Sequence, residues 1–288
     1  MDEQQLRNDI VEVGRRLWTR GFVASNDGNI SVRIGPDRLL MTPASVSKGF
    51  MSAEMMVITD LAGTLVSGAA GRKPSSEIQM HLAAYRERPD VGAVVHAHPP
   101  LSTGFAVAGI PLDRAVLAEV VTTLGSVPIA EYATPSTREL PEAVRKYVKA
   151  HDGMLLANHG ALTLGADLFS AYYKMETIEH FATISFVARM LGGERLLSRD
   201  EVVRLQGLRG SYGISSPAPI CPDPAAGAQN DQADCQVVFA PSSGARLVPD
   251  SASLLRGAGG GAPADSDEIR LTYGELTALI EEAVRNLK

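Results

Sequence analysis

Val94-Val95-His96-Ala97-His98-Pro99-Pro100 places two histidines two residues apart at the end of an apolar run. Strand side chains alternate with a period of two, so this spacing predicts two imidazoles on one face of a strand. The lead-in, Val91 to Val95, reads as a buried strand. A second apolar run, Met154-Leu155-Leu156-Ala157, ends at Asn158-His159-Gly160 and supplies a third histidine. Upstream, Pro74-Ser75-Ser76-Glu77 supplies a carboxylate at the start of a helix pattern.

Catalytic zinc sites usually take three protein ligands and keep one position for water or substrate. His96, His98 and His159 fit that count. Three neutral nitrogens leave the full charge of the ion to polarise a substrate oxygen. Glu77 is the candidate general base, because a carboxylate between an ion and an apolar wall can be tuned toward the operating pH. Ser75 and Ser76, hydroxyls beside free amides at a helix start, suit an anion. Asn26-Asp27-Gly28-Asn29 and Thr42-Pro43-Ala44-Ser45 are polar turns able to complete such a site. His81, His151 and His180 read as surface or packing histidines.

The 288 residues suffice for one large domain with appendages. Apolar content of 45% is that of a globular protein, and a net charge of −6 argues against nucleic acid or an anionic membrane as partner. No apolar run approaches the roughly 20 residues that span a bilayer. The polar start, MDEQQLRND, does not read as a signal peptide, so an intracellular, cytoplasmic protein is expected. There Cys221 and Cys235 are expected as free thiols.

Residues 1–212 read as the catalytic domain. Leu6, Ile10, Val13 and Leu17 recur at helical spacing, and Asn29–Arg33 and Leu39–Met41 read as short strands around a Gly-Pro-Asp turn. Helices are expected over 76–86 and 166–192, and Ser136-Thr-Arg-Glu139 predicts a capping box opening another helix through Tyr147. Residues 213–268, rich in Ala, Gly, Pro and Ser, read as a mobile linker. Residues 269–288 read as an amphipathic helix: Leu276, Leu279, Ile280, Ala283, Val284 and Leu287 form one stripe behind the capping box Thr272-Tyr-Gly-Glu275. A lone helix of this length is marginal in water, so the stripe calls for a partner.

In order along the chain, Asn26-Asp-Gly-Asn-Ile-Ser31, Leu40-Met-Thr-Pro43, Lys73-Pro-Ser-Ser-Glu77, Val94-Val-His-Ala-His-Pro99, Tyr132-Ala-Thr134 and Asn158-His-Gly160 resemble the class II aldolase/adducin family over about residues 1–212. The L-fuculose-phosphate aldolase branch looks nearest. The resemblance implies an α/β fold, a three-layer α/β/α domain with a mostly antiparallel central sheet, and a homotetramer with sites between subunits. It implies zinc on His96, His98 and His159, Glu77 as acid/base, and phosphate on Asn29, Ser75 and Ser76, with Ser45 in the phosphate loop. The implied reaction is cleavage of a ketose 1-phosphate, of the L-fuculose or L-rhamnulose type, into dihydroxyacetone phosphate and lactaldehyde.

Two positions depart from the pattern. The phosphate loop reads Thr42-Pro43-Ala44-Ser45 where those aldolases have Thr-Pro-Thr-Gly. The tyrosine acid that a neighbouring subunit supplies falls near residue 117, where Ala115-Val-Leu-Ala-Glu119 holds none. Tyr212, beside Gly213, matches a second active-site tyrosine and is the candidate proton donor, ahead of Glu119. The same scaffold also serves pentulose-phosphate 4-epimerases, sugar-phosphate dehydratases and non-enzymatic adducin-like interaction domains. The tail resembles the encapsulation peptides of bacterial microcompartment enzymes, which implies a shell protein as partner.

Overall fold

A computed structural model describes residues 2–215 and 217–220. Cys221, Cys235, most of the expected linker and the helix expected at 269–288 lie outside the described residues.

Eight strands form one sheet: β1 (Asn29–Arg33), β2 (Arg38–Met41), β3 (Val57–Asp60), β4 (Leu65–Ser67), β5 (Ala93–Ala97), β6 (Ile129–Ala130), β7 (Gly153–Leu156) and β8 (Gly160–Gly165). Their order is β4-β3-β2-β1-β5-β8-β7-β6. Every pairing is antiparallel except β6 with β7. The helices are α1 (Glu3–Thr19), α2 (Ile78–Glu87), α3 (Pro100–Val107), α4 (Ala118–Thr123), α5 (Glu139–Arg145), α6 (Leu168–Met190) and α7 (Arg199–Leu208).

Strand alternation sorts the core into two layers. Leu40 and Val95 join Ile10 and Leu17 of α1, Ala106 of α3, and Tyr172 and Phe181 of α6 on one face. Leu39, Met41 and Val94 join Leu82 and Tyr85 of α2 and Val144 of α5 on the other. The result is the expected three-layer α/β/α fold with a mostly antiparallel sheet. Full burial of an aliphatic side chain such as Leu40 contributes roughly 1.5–3 kcal/mol. Among the described residues no helix is long and apolar enough to cross a membrane.

Several local expectations need correction. The strand read over 91–95 runs over Ala93–Ala97, so His96 lies inside it and His98 lies past its end. The capping box at 136–139 does not form: Arg138 is the N-cap of α5 and caps with no side chain. A capping box forms instead at α7, between Ser198 and Glu201. The sequence reading missed β3, β4, β6 and β8, of which β4 is exposed at each residue, β6 is only two residues long and β8 follows directly on the Asn158-His159-Gly160 motif. Residues 217–220 fall in the expected linker, yet Ser126 donates to the Pro219 carbonyl through its amide and hydroxyl, both at 2.8 Å.

Candidate metal centre

The sheet register builds the centre. His96 faces Asn29 across β1 and Leu162 across β8. His98 follows where β5 has ended, and its amide donates to the Phe22 carbonyl at 2.9 Å. His159 comes from the hairpin between β7 and β8, whose last pair is Leu156 with Gly160. That three-residue loop needs one left-handed residue, and Asn158 takes it at φ 55°. Gly160 leaves room behind the rings: a Cβ there would sit 2.5 Å from both the Ala97 carbonyl oxygen and His98 Cδ2. The ring centroids of His96, His98 and His159 stand 4.7 to 5.0 Å apart.

Hydrogen bonding orients the imidazoles. His96 Nδ1 lies 2.9 Å from the Ala161 carbonyl, which only accepts, so Nδ1 carries the proton and Nε2 presents its lone pair. His98 Nδ1 lies 3.4 Å from Asp27 Oδ2, so a cation on its Nε2 would leave a carboxylate facing the Nδ1 proton. The two Nε2 atoms meet at 3.0 Å. Two lone pairs so placed repel unless a cation or proton lies between them. Burial pushes the His96 pKa down to about 3 and that of His98 in the same direction, favouring the neutral forms that bind metal. His159 Nδ1 is buried with no partner among the described residues.

Glu77 closes the cluster. It is the N-cap of α2, its carboxylate free of the helix and turned inward. Its Oε1 lies 3.1 Å from His159 Nε2, and its Oε2 lies 3.4 Å from His96 Nε2. Asn29 Nδ2 donates to Oε2 at 2.8 Å. Burial pushes the Glu77 pKa up, but His96, His159 and the Asn29 amide outweigh it and hold the carboxyl well below its usual range. The potential ligand atoms of His96, His98 and His159 fall within 4.8 Å of one another. Three imidazole nitrogens so grouped match the donor type and count of a catalytic zinc site. Donor set, His96 tautomer and facing Nε2 atoms all suit a divalent metal.

The anion candidates sit beside this centre. A bridge between Pro43 and Pro74, and the Ala44 amide on the Lys73 carbonyl at 2.9 Å, tie the Thr42–Ser45 turn to the Ser75–Glu77 segment. Ser45 is exposed in the left-handed region at φ 57°, and Ser76 is also exposed. Ser75 is buried, and its hydroxyl accepts from the Glu77 amide at 3.3 Å. Asn29 is engaged with Glu77 and His81. Tyr212 stands 64% exposed on a 3-10 turn, Arg209–Tyr212, and Glu119 is exposed on α4.

Three residues escaped the sequence reading. Asp27 was read only as part of a turn. Lys48 is fully buried and donates from Nζ to the Val46 carbonyl at 2.6 Å and the Asn26 carbonyl at 3.1 Å, clipping the two polar turns together. His81 is wholly buried behind Asn29 and is no surface group. His151 is buried too, its Nδ1 3.1 Å from the Ser126 carbonyl, while His180 is exposed.

Comparisons with known proteins agree with this architecture. The Class II Aldolase and Adducin N-terminal domain matches residues 8–186. An L-fuculose phosphate aldolase of Methanococcus maripaludis is 32% identical over 64% of this chain and 97% of its own. A 3-oxo-tetronate 4-phosphate decarboxylase of Pectobacterium atrosepticum is 32% identical over 70% of this chain and 93% of its own. A solved L-fuculose 1-phosphate aldolase superposes with a TM-score of 0.66 at 30% identity, covering 72% of this chain and 97% of that one. A metal-ready histidine cluster at the end of this sheet, and a match over most of the folded chain, lead to one conclusion: the chain belongs to the class II aldolase and adducin N-terminal domain family.

Proposed function

We propose that this protein is a zinc-dependent aldolase that cleaves a ketose 1-phosphate, of the L-fuculose or L-rhamnulose type, into dihydroxyacetone phosphate and lactaldehyde. The observation that carries the reading is the convergence of His96, His98 and His159 with Glu77 lying across two of them. A divalent ion bound there supplies Lewis-acid polarisation of the substrate carbonyl. As the carbon–carbon bond breaks, its electron pair passes toward that carbonyl. In the condensation direction the ionised Glu77 takes the proton from the triose phosphate carbon and Tyr212, with Glu119 as the alternative, gives its proton to the aldehyde oxygen; cleavage runs the same two transfers backward, from protonated Glu77 and ionised Tyr212. Ser75, Ser76, Ser45 and the second N–H of Asn29 hold the phosphate. We extend the reading to assembly as a homotetramer and to a microcompartment shell protein as partner of the C-terminal segment.

A second reading is favoured by the decarboxylase relative and by the absence of tyrosine near residue 117. Loss of carbon dioxide from a 3-oxo acid phosphate sends an electron pair into the same polarised carbonyl. Carbon dioxide departs without a hydroxyl proton being removed, so no tyrosine is required. Glu77 again protonates the carbon.

The experiment assays L-fuculose 1-phosphate for triose phosphate release and a 3-oxo acid phosphate for carbon dioxide release. Triose phosphate release that a chelator abolishes and zinc restores is expected. Glu77→Gln is expected to lower kcat by about 10²–10⁴-fold with the metal retained. Carbon dioxide release alone selects the second reading. Inactivation by borohydride that requires substrate, the mark of a lysine Schiff base, overturns both.

A further inference from the structure

A buried chain of hydrogen bonds runs from Glu77 away from the metal centre, and its direction can be assigned at each link. Asn29 Nδ2 donates to Glu77 Oε2 at 2.8 Å, so the other end of that amide, Oδ1, faces His81. Oδ1 only accepts, and His81 Nε2 lies 2.5 Å from it, so the Nε2 proton is donated to Asn29. Burial holds the His81 pKa down at about 4, which keeps the ring neutral and its Nδ1 an acceptor. Ser31 Oγ lies 2.6 Å from Nδ1 and donates to it. The Tyr85 hydroxyl donates to the Ser31 carbonyl at 2.9 Å and lies 2.9 Å from Ser31 Oγ. His81 and Ser31 are both 0% exposed, so no water competes for these links.

The elements make the arrangement rigid. Asn29 and Ser31 lie two apart on β1 and share a face, while Glu77, His81 and Tyr85 recur every four residues from the start of α2. Helix and strand therefore meet along two parallel rows. An asparagine amide is nearly symmetric in shape, and if it turned by half a circle it would present its oxygen to the carboxylate. That would set acceptor against anion at Glu77 and donor against donor at His81.

We propose that His81 is a positioning residue for the acid/base. Backed by Ser31 and Tyr85, it locks the Asn29 amide in the one orientation that donates to Glu77 and aims the carboxylate at the reacting carbon. The inference rests on Glu77 being the acid/base of the reaction proposed above. His81 touches neither metal ligands nor substrate and acts only through Asn29. The same lock leaves Asn29 a single N–H for phosphate, so phosphate binding and carboxylate alignment share one amide.

The test compares the zinc-loaded wild type with His81→Leu, His81→Gln and Ser31→Ala, by crystal structure, metal content, melting temperature and kinetics on L-fuculose 1-phosphate. A carboxylate displaced by about 1 Å loses on the order of 100-fold in rate, so His81→Leu is expected to lose about that much in kcat, with KM raised because the same amide leaves the phosphate, and with metal content held. Its crystal structure is expected to show the Asn29 amide turned or withdrawn from Glu77. His81→Gln, which restores an N–H donor, is expected to recover most of kcat; a merely structural role predicts no such rescue. Ser31→Ala, a smaller change, carries the same expectation if His81→Leu does not fold. Wild-type kcat in either disruptive variant, or Asn29 Nδ2 still bonded to Glu77 in its structure, overturns the proposal. If the wild type cleaves no ketose 1-phosphate, the functional reading fails by itself, and the crystal structures alone decide whether His81 orients Asn29.

Discussion

His81 shows how one residue type takes different work from its surroundings. Exposed, it would titrate near 6.5; packed between Asn29 and Ser31 its pKa falls to about 4. The unfolded chain therefore binds a proton at His81 before the folded one does. Its share of stability, roughly 3 kcal/mol, is present in full above pH 6.5 and drains as pH falls toward about 4. Melting the metal-free protein across that window is expected to show a steeper acid loss for wild type than for His81→Gln, which has no proton to gain. Equal slopes would contradict this account. The sequence around His81 carries no sign of the role: a histidine in an apolar helix pattern reads as packing, and its partners lie about fifty positions upstream on β1. His96, His98 and His159 were legible as a group because their spacing and the apolar runs that lead into them are local patterns.

At the scale of elements, the β7–β8 hairpin does the decisive placing. Gly160 begins β8 directly against the Ala97 carbonyl and the His98 and His96 rings. Gly160→Ala forces a methyl into contacts of 2.5 Å and is expected to destabilise the fold by about 1–3 kcal/mol. Because the methyl meets the rings, metal retention is expected to fall further than the melting temperature alone would predict. Metal content and melting on one sample check this, and full zinc occupancy in the variant would refute it. Gly28 plays the parallel part under β5, with φ 70° and a hypothetical Cβ 2.8 Å from the His96 carbonyl oxygen. Both glycines stand inside quoted motifs, yet what each would strike belongs to another strand. The capping box expected at 136–139 failed for a related reason. Four residues match the pattern, but the Thr137 hydroxyl accepts from the Glu139 amide and donates to the Thr134 carbonyl, so a local turn claims the segment.

For the whole molecule, the expected assembly gives a test apart from catalysis. Residues 265–288 fused to a fluorescent protein, in a host carrying a microcompartment shell, are expected to concentrate fluorescence in discrete foci. Diffuse fluorescence throughout the cell would refute the encapsulation reading. The family was open to reading because six short motifs stand in order along one chain, and the three-layer fold was implied by that resemblance; helical and strand periods marked out only single elements. That His96, His98 and His159 belong together, with Glu77 ahead of them in the chain, was legible from the same motifs. Tertiary structure alone decided that His98 joins His96 from beyond the strand end, that Asp27 orients it, and that Asn29 serves Glu77 and His81 at once. Those facts depend on strand register and on helix–strand approach, which bring together residues far apart in sequence whose local patterns carry no record of one another.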